Sequence, residues 1–208
     1  RHPALRLPSG RARPGRRRWS TALSAVSPDT PGSEVRPEQY PGDGPVILAP
    51  VHRSNLDSLM FAPLMRRRLR ALAKESLFTF RPLAWVIASL GAFPVHRDTA
   101  DRESMRIARE LLNEGNLLLV FPEGKRHDGD GVGELFDGTA WLAAKTQSRV
   151  VPVGIAGTGE AMPAGDRFPR PTRVRMVVGP PIDPPEPRGA RSALRTWTEG
   201  LTDALQAV

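Results

Sequence analysis

The chain contains no cysteine. Disulfides, a thiolate nucleophile and cysteine-ligated metal are therefore excluded. Histidine is scarce, with 4 among 208 residues. None shows the H-x-x-x-H or H-E-x-x-H spacing that zinc sites use, so no metal site is expected. No run of about 18 apolar residues occurs, the length a membrane-spanning helix needs. The longest candidate, Leu83 to Phe93, is broken by Ser89 and Gly91. A chain of this kind can still lie on a membrane surface. Acidic residues are missing from residues 1–20, which hold seven arginines. Those seven account for most of the net charge of +8 and leave +1 for residues 21–208. The body is thus nearly neutral, and the basic excess is a Pro- and Gly-broken tail expected to be disordered. An aromatic ladder and zinc spacings are both wanting, so nucleic acid is not an expected partner.

A length of 208 residues fits one domain with a tail. Residues 1–40 read as a tail and linker, rich in Arg, Pro, Gly and Ser, and 41–208 as the folded domain. The chain begins at Arg1 and not Met, which leaves room for an upstream segment. Strands are expected at Val46–Leu48, Leu69–Lys74, Phe93–Val95, Leu117–Phe121, Val150–Ile155 and Arg173–Val178. Helices are expected from Leu56 to Leu64, from Pro82 to Leu90, over Asp101–Glu114, over Thr139–Gln147 and over Arg188–Ala207. Short apolar strands alternating with helices predict an α/β fold, a mixed, largely parallel sheet flanked by helices. In such sheets ligands bind beyond the carboxyl ends of the strands.

The oddest polar clusters fall at those ends. The first is His52-Arg53-Ser54-Asn55-Leu56-Asp57. Inside one helix, residues five apart lie roughly 140° apart and cannot meet, but across a strand–turn–helix corner they can. A carboxylate on one imidazole nitrogen fixes the tautomer and leaves the other nitrogen as a base. The spacing alone is weak: with 4 His and 11 Asp, about 0.2 matches are expected by chance. A second match, His96 to Asp101, occurs. The other two clusters, His96-Arg97 and Glu123-Gly124-Lys125-Arg126, give the first its weight. Together they suit an anionic substrate bearing a hydroxyl. Arg97 and Arg126 would hold a phosphate, Glu123 a polyol hydroxyl, and His52 would deprotonate the attacking hydroxyl. Asp128 and Asp130 read as a solvated turn and not a metal loop. Trp85, Phe93 and Trp141 read as core.

The residues resemble the lysophospholipid acyltransferases, specifically the 1-acyl-sn-glycerol-3-phosphate acyltransferase group. Four blocks match in order: His52-Arg-Ser-Asn-Leu-Asp57, Gly91-Ala-Phe-Pro-Val-His-Arg97, Phe121-Pro-Glu-Gly-Lys-Arg126 and Val150-Val-Pro-Val-Gly154. Ala73-Lys74-Glu75-Ser-Leu77 resembles a basic stretch between the first two. The chain departs from the pattern at His127, where Ser is usual, and at Val51, where Asn is common. The resemblance covers about residues 40–180. It implies a glycerolphosphate-acyltransferase-like fold and acyl transfer from acyl-CoA or acyl carrier protein to lysophosphatidate, with no further cofactor. It also implies a membrane-surface enzyme of phospholipid biosynthesis, expected as a peripheral protein on the cytoplasmic face of the cell membrane. Glycerol 3-phosphate or a glycolipid as acceptor, and a non-catalytic lipid-binding module, are the alternatives. His52 and Asp57 would be catalytic; Lys74, Arg97, Glu123, Gly124 and Arg126 would bind substrate. Ser54 lacks a nucleophile-elbow sequence and is not read as a nucleophile. Backbone amides at the start of the Leu56 helix are the candidate oxyanion donors. Membrane contact is expected through Met60, Phe61, Leu64, Met65, Phe78, Phe80 and Trp85, ringed by Arg66 to Arg70.

Overall fold

A computed structural model describes residues 44–61, 69–74, 92–95, 100–127, 129, 131–166 and 168–208. The elements run β1 (Val46–Pro50), α1 (Asp57–Phe61), β2 (Leu69–Lys74), β3 (Ala92–Val95), α2 (Ala100–Asn113) and β4 (Leu117–Leu119). Then come α3 (Gly138–Thr146), β5 (Arg149–Ala156), α4 (Thr158–Ala161), β6 (Arg175–Val178) and α5 (Arg191–Gln206). The expectations for the N-terminal tail and for a helix from Pro82 lie outside the described residues.

One six-stranded sheet has the order β3-β2-β4-β1-β5-β6. Five strands are parallel, and β6 alone runs antiparallel, pairing Val153 with Val178 and Ala156 with Arg175. The mixed, largely parallel α/β architecture is therefore the one expected from the sequence. β1 sits centrally, with Leu48 opposite Leu119 on one side and Val151 on the other. All five β1 residues are buried. That explains a strand with no polar alternation, because both its faces are covered. Burying each such Val, Leu or Ile contributes about 1.5–3 kcal/mol.

Helix α2 turns Ala108, Leu111 and Leu112 inward, with Met105 partly buried. On its outer side Arg106 bridges Glu103 and Glu110 at 2.6 Å, one helical turn either way. That guanidinium holds the exposed Glu103 carboxyl below its ordinary value. Helix α5 buries Leu201 and Leu205 and half-buries Leu194 and Trp197, the expected stripe. It also buries Thr198, whose hydroxyl donates to Asp137 Oδ1 at 2.9 Å and ties α5 to the start of α3.

Two strand ends differ from expectation. β4 leaves the ladder early: Val120 N–H still donates to Leu48 O, and Phe121 then turns its ring onto His52. β6 starts two residues late. Arg173 O is packed against Gly157, which has φ +86°, and a Cβ there would stand 2.1 Å from that oxygen. Only glycine fits this corner. The four-residue α4 it launches was not foreseen. Met60 and Phe61 correct the expected membrane face: they are 8% and 0% exposed and belong to the core. Leu64, Met65, Phe78, Phe80 and Trp85 lie outside the described residues. Trp141 packs against the core, as expected.

Candidate active site

Strand β1 delivers His52 at the carboxyl edge of the sheet. Val51 N–H donates to Val153 O at 3.1 Å, the last contact along β5. The chain then makes a tight corner. Asp57 N–H donates to Ser54 O (3.2 Å) and Met60 N–H to Leu56 O (3.1 Å), which starts α1. Ser54 braces the turn before α1: its Oγ accepts Leu56 N–H at 3.3 Å and donates to Met162 O at 2.9 Å.

This corner brings the His-x4-Asp pair together. His52 Nδ1 lies 2.9 Å from Asp57 Oδ2. The same oxygen accepts Arg53 N–H at 2.6 Å and Ser54 N–H at 2.8 Å. Asp57 is fully buried and His52 is 17% exposed. Asp57 Oδ1 is buried with no partner. A carboxylate at Nδ1 makes that nitrogen the N–H donor and leaves the Nε2 lone pair as the base. The Phe121 ring stacks on the imidazole with centroids 3.9 Å apart and planes 23° apart. The ring is thus fixed in rotation by the carboxylate and in tilt by an aromatic face.

Glu123 does not point at solvent. It is 2% exposed. Its Oε2 accepts His52 N–H at 2.7 Å. Its Oε1 accepts Gly133 N–H at 2.9 Å and Arg53 Nη1 at 3.0 Å. Arg53 Nη2 donates in turn to Gly131 O. The sequence expectation set this carboxylate against substrate hydroxyls. In the folded chain both oxygens instead clamp the peptide of the base and the glycine loop after β4. From the other side, His127 N–H donates to His52 O at 2.9 Å. The His52 peptide is therefore held at both its N–H and its C=O by the segment that follows β4.

Gly124 adopts φ +65° beside Glu123, and a Cβ there would stand 3.1 Å from the Phe136 ring. Its left-handed backbone turns the chain so that Lys125 and Arg126 are exposed at the rim. Lys74 ends β2, two strand spacings from β1, roughly 10 Å along the edge; its side chain lies outside the described residues. Arg97 and His96 lie outside them too. They follow β3, whose parallel end is three spacings, roughly 14 Å, from β1. The candidate oxyanion amides are largely engaged: those of Arg53 and Ser54 by Asp57, that of Leu56 by Ser54 Oγ, and that of Asp57 by Ser54 O. Sequence reasoning missed Arg53, Phe121 and the His127 amide. The one available signal was a Glu just beyond a buried strand that needs a cation, with Arg53 next to the base.

A family model described as Acyltransferase matches residues 32–156, more than half of the chain. A 1-acyl-sn-glycerol-3-phosphate acyltransferase of Chlamydomonas reinhardtii is 33% identical over 149 residues, 69% of this chain and 44% of that protein. The chloroplastic 1-acyl-sn-glycerol-3-phosphate acyltransferase of Arabidopsis thaliana is 29% identical over 67% of this chain and 40% of its own length. The chain thus spans about two fifths of the length of these plant and algal relatives. The crystal structure of the 1-acyl-sn-glycerophosphate acyltransferase PlsC from Thermotoga maritima superposes with a TM-score of 0.63 at 29% identity. It covers 79% of this chain and 66% of that one. The chain belongs to the acyltransferase family.

Proposed function

We propose that the chain transfers an acyl group from a thioester, acyl-CoA or acyl carrier protein, to the free hydroxyl of lysophosphatidate, making phosphatidate. The observation that carries this reading is the 2.9 Å contact between His52 Nδ1 and the buried Asp57 carboxylate. It leaves Nε2 as a base at the ligand-binding edge of the sheet. His52 Nε2 takes the acceptor hydroxyl proton. The oxygen forms a bond to the thioester carbonyl carbon, and the C–S bond breaks as the tetrahedral intermediate collapses. The departing thiolate takes the proton back from His52. Asp57 stabilises the imidazolium formed in between. The step needs no acyl-enzyme, and the Ser54 hydroxyl is engaged with Leu56 N–H and Met162 O.

Arg126, together with Lys74 and Arg97, holds the acceptor phosphate. Glu123 acts as a positioning residue, because both its oxygens are engaged with the protein. The rim supports work at a lipid surface. Lys125 and Arg126 are exposed there, and Phe136, 57% exposed, packs beside Gly124. Cations next to an exposed aromatic suit the boundary between headgroups and acyl chains. Among the described residues no helix is long and apolar enough to cross a membrane. Peripheral attachment to the cytoplasmic face of the cell membrane follows as part of the proposal.

An acceptor panel tests the reading. With acyl-CoA and a radiolabelled acceptor, lysophosphatidate is expected to give phosphatidate faster than glycerol 3-phosphate or a glycolipid gives product. Product from glycerol 3-phosphate alone would replace the acceptor. No product from any acceptor would leave a lipid-binding module.

A further inference from the structure

Strand order gives the dyad two flanks along the carboxyl edge of the sheet. On one flank Arg126 follows β4 and Lys74 ends β2, two of the cations assigned above to the acceptor phosphate. The β5–β6 flank holds a cavity of about 710 Å³, within the ~300–1,000 Å³ of ordinary small-molecule sites. It opens beside the dyad corner at Arg53 and is walled by His127, Ile155, Val177 and Leu205, with Glu160 and Arg175 at its edge. We infer that this cavity takes the pantetheine arm of the acyl donor, the amide-bearing chain that acyl-CoA and acyl carrier protein share. The inference rests on the acyl-transfer reading above.

Three observations carry it. First, transfer without an acyl-enzyme requires both substrates on His52 at once, so they approach from different flanks, and this flank holds the cavity. Second, the cavity matches a neutral polar chain better than a bare phosphate. The Arg53 charge is balanced by Glu123 at 3.0 Å. Glu160 and Arg175 are both exposed and of opposite sign, and the rest of the wall mixes the apolar Ile155, Val177 and Leu205 with Gln206 and glycine backbone. Such a surface offers donors and acceptors to amides and apolar contact to the methylenes between them.

Third, the cavity is built into the base's own support. The His127 ring lies between two glycines. A Cβ at Gly133 would stand 3.0 Å from its Cδ2, and one at Gly129 would stand 3.7 Å from its Cε1. Its Nδ1 is buried without a partner, and the residue lines the cavity. Its peptide N–H holds His52 O at 2.9 Å. A chain seated at His127 therefore lies one hydrogen bond from the peptide of the base.

The test narrows the cavity with Ala164→Trp, at an exposed lining position, and separately with Val177→Trp. Turnover by the full chain is measured with one acyl group presented on CoA and on acyl carrier protein. Both variants are expected to raise KM for both donors about tenfold, while kcat and KM for lysophosphatidate stay near wild type, the pattern of lost uniform binding. Calorimetry with a non-reactive S-alkyl-CoA is expected to show the same loss of affinity. A raised KM for lysophosphatidate instead, or unchanged donor KM in a folded variant, overturns the assignment. An effect on the carrier-protein donor alone also overturns it, since that marks protein docking and not the shared arm. Should Val177→Trp fail to fold, the exposed Ala164→Trp decides. Should wild type release no thiol at all, the acyl-transfer reading fails by itself, and S-alkyl-CoA binding that Ala164→Trp weakens, or its absence, still decides the cavity.

Discussion

Glu123 separates two accounts of the site most cleanly, because sequence and structure assign it different work. If it bound substrate hydroxyls, its removal would weaken acceptor binding and leave the fold intact. The structure has it 2% exposed, accepting His52 N–H at 2.7 Å, Gly133 N–H at 2.9 Å and Arg53 Nη1 at 3.0 Å. Glu123→Ala would leave two backbone N–H groups unpaired at about 1–3 kcal/mol each. It would also strand a guanidinium that is only 12% exposed. Breaking a buried pair from one side costs about 3–5 kcal/mol, a large part of the ~5–15 kcal/mol that holds a domain together. Glu123→Gln keeps the shape and one acceptor but turns an NH₂ towards one of the two amides, and is expected to cost about 1–3 kcal/mol. Urea unfolding of both variants, paired with steady-state kinetics of Glu123→Gln, reads the outcome. The expected result is a lower midpoint for both, with kcat falling more than the acceptor KM rises, because the misplaced group is the base. A Glu123→Gln protein of wild-type stability with only a raised acceptor KM would refute this reasoning and restore the hydroxyl contact.

Asp57→Asn can keep its oxygen on His52 Nδ1 and on the Arg53 and Ser54 amides but removes the charge that stabilises the imidazolium. Turnover is expected to fall about 10²–10⁴-fold with little change in acceptor KM, measured by thiol release. Ser54→Ala loses the Met162 O and Leu56 N–H contacts, a cost of about 1 kcal/mol. It should keep turnover within a few-fold, whereas loss of all acyl transfer would point to a nucleophilic serine. Gly157→Ala places a methyl 2.1 Å from Arg173 O at φ +86° and is expected to cost more than about 1 kcal/mol in thermal unfolding; a neutral effect would mean the β5–β6 corner relaxes freely.

Much of the scaffold could be read from the residues because burial left a one-dimensional trace. β1 and β4 appear as unbroken apolar runs, since helices cover both sheet faces. α2 and α5 appear as helical stripes, with Leu111, Leu112, Leu201 and Leu205 at the periods that face the sheet. The His52–Asp57 pair was visible as a spacing and gained meaning only from the clusters at other strand ends. Strand order left no trace, so the sequence could not tell that β4 borders β1 while β3 lies at the edge. The orientation of Glu123 was hidden for a different reason. Two of its partners are backbone amides, at His52 and Gly133, and an amide donor looks the same at every residue. Met60 and Phe61 were misassigned to a membrane because a buried apolar helix face and a lipid-facing one share a composition. α4 was missed because four residues carry no period.

The central claim is that His52 is the base for the attacking hydroxyl. Its most direct test is thiol release from acyl-CoA with lysophosphatidate, comparing wild type with a folded His52→Ala protein. The account predicts that turnover falls by at least about 10²–10⁴-fold while lysophosphatidate binding persists. Turnover in His52→Ala close to wild type would contradict it.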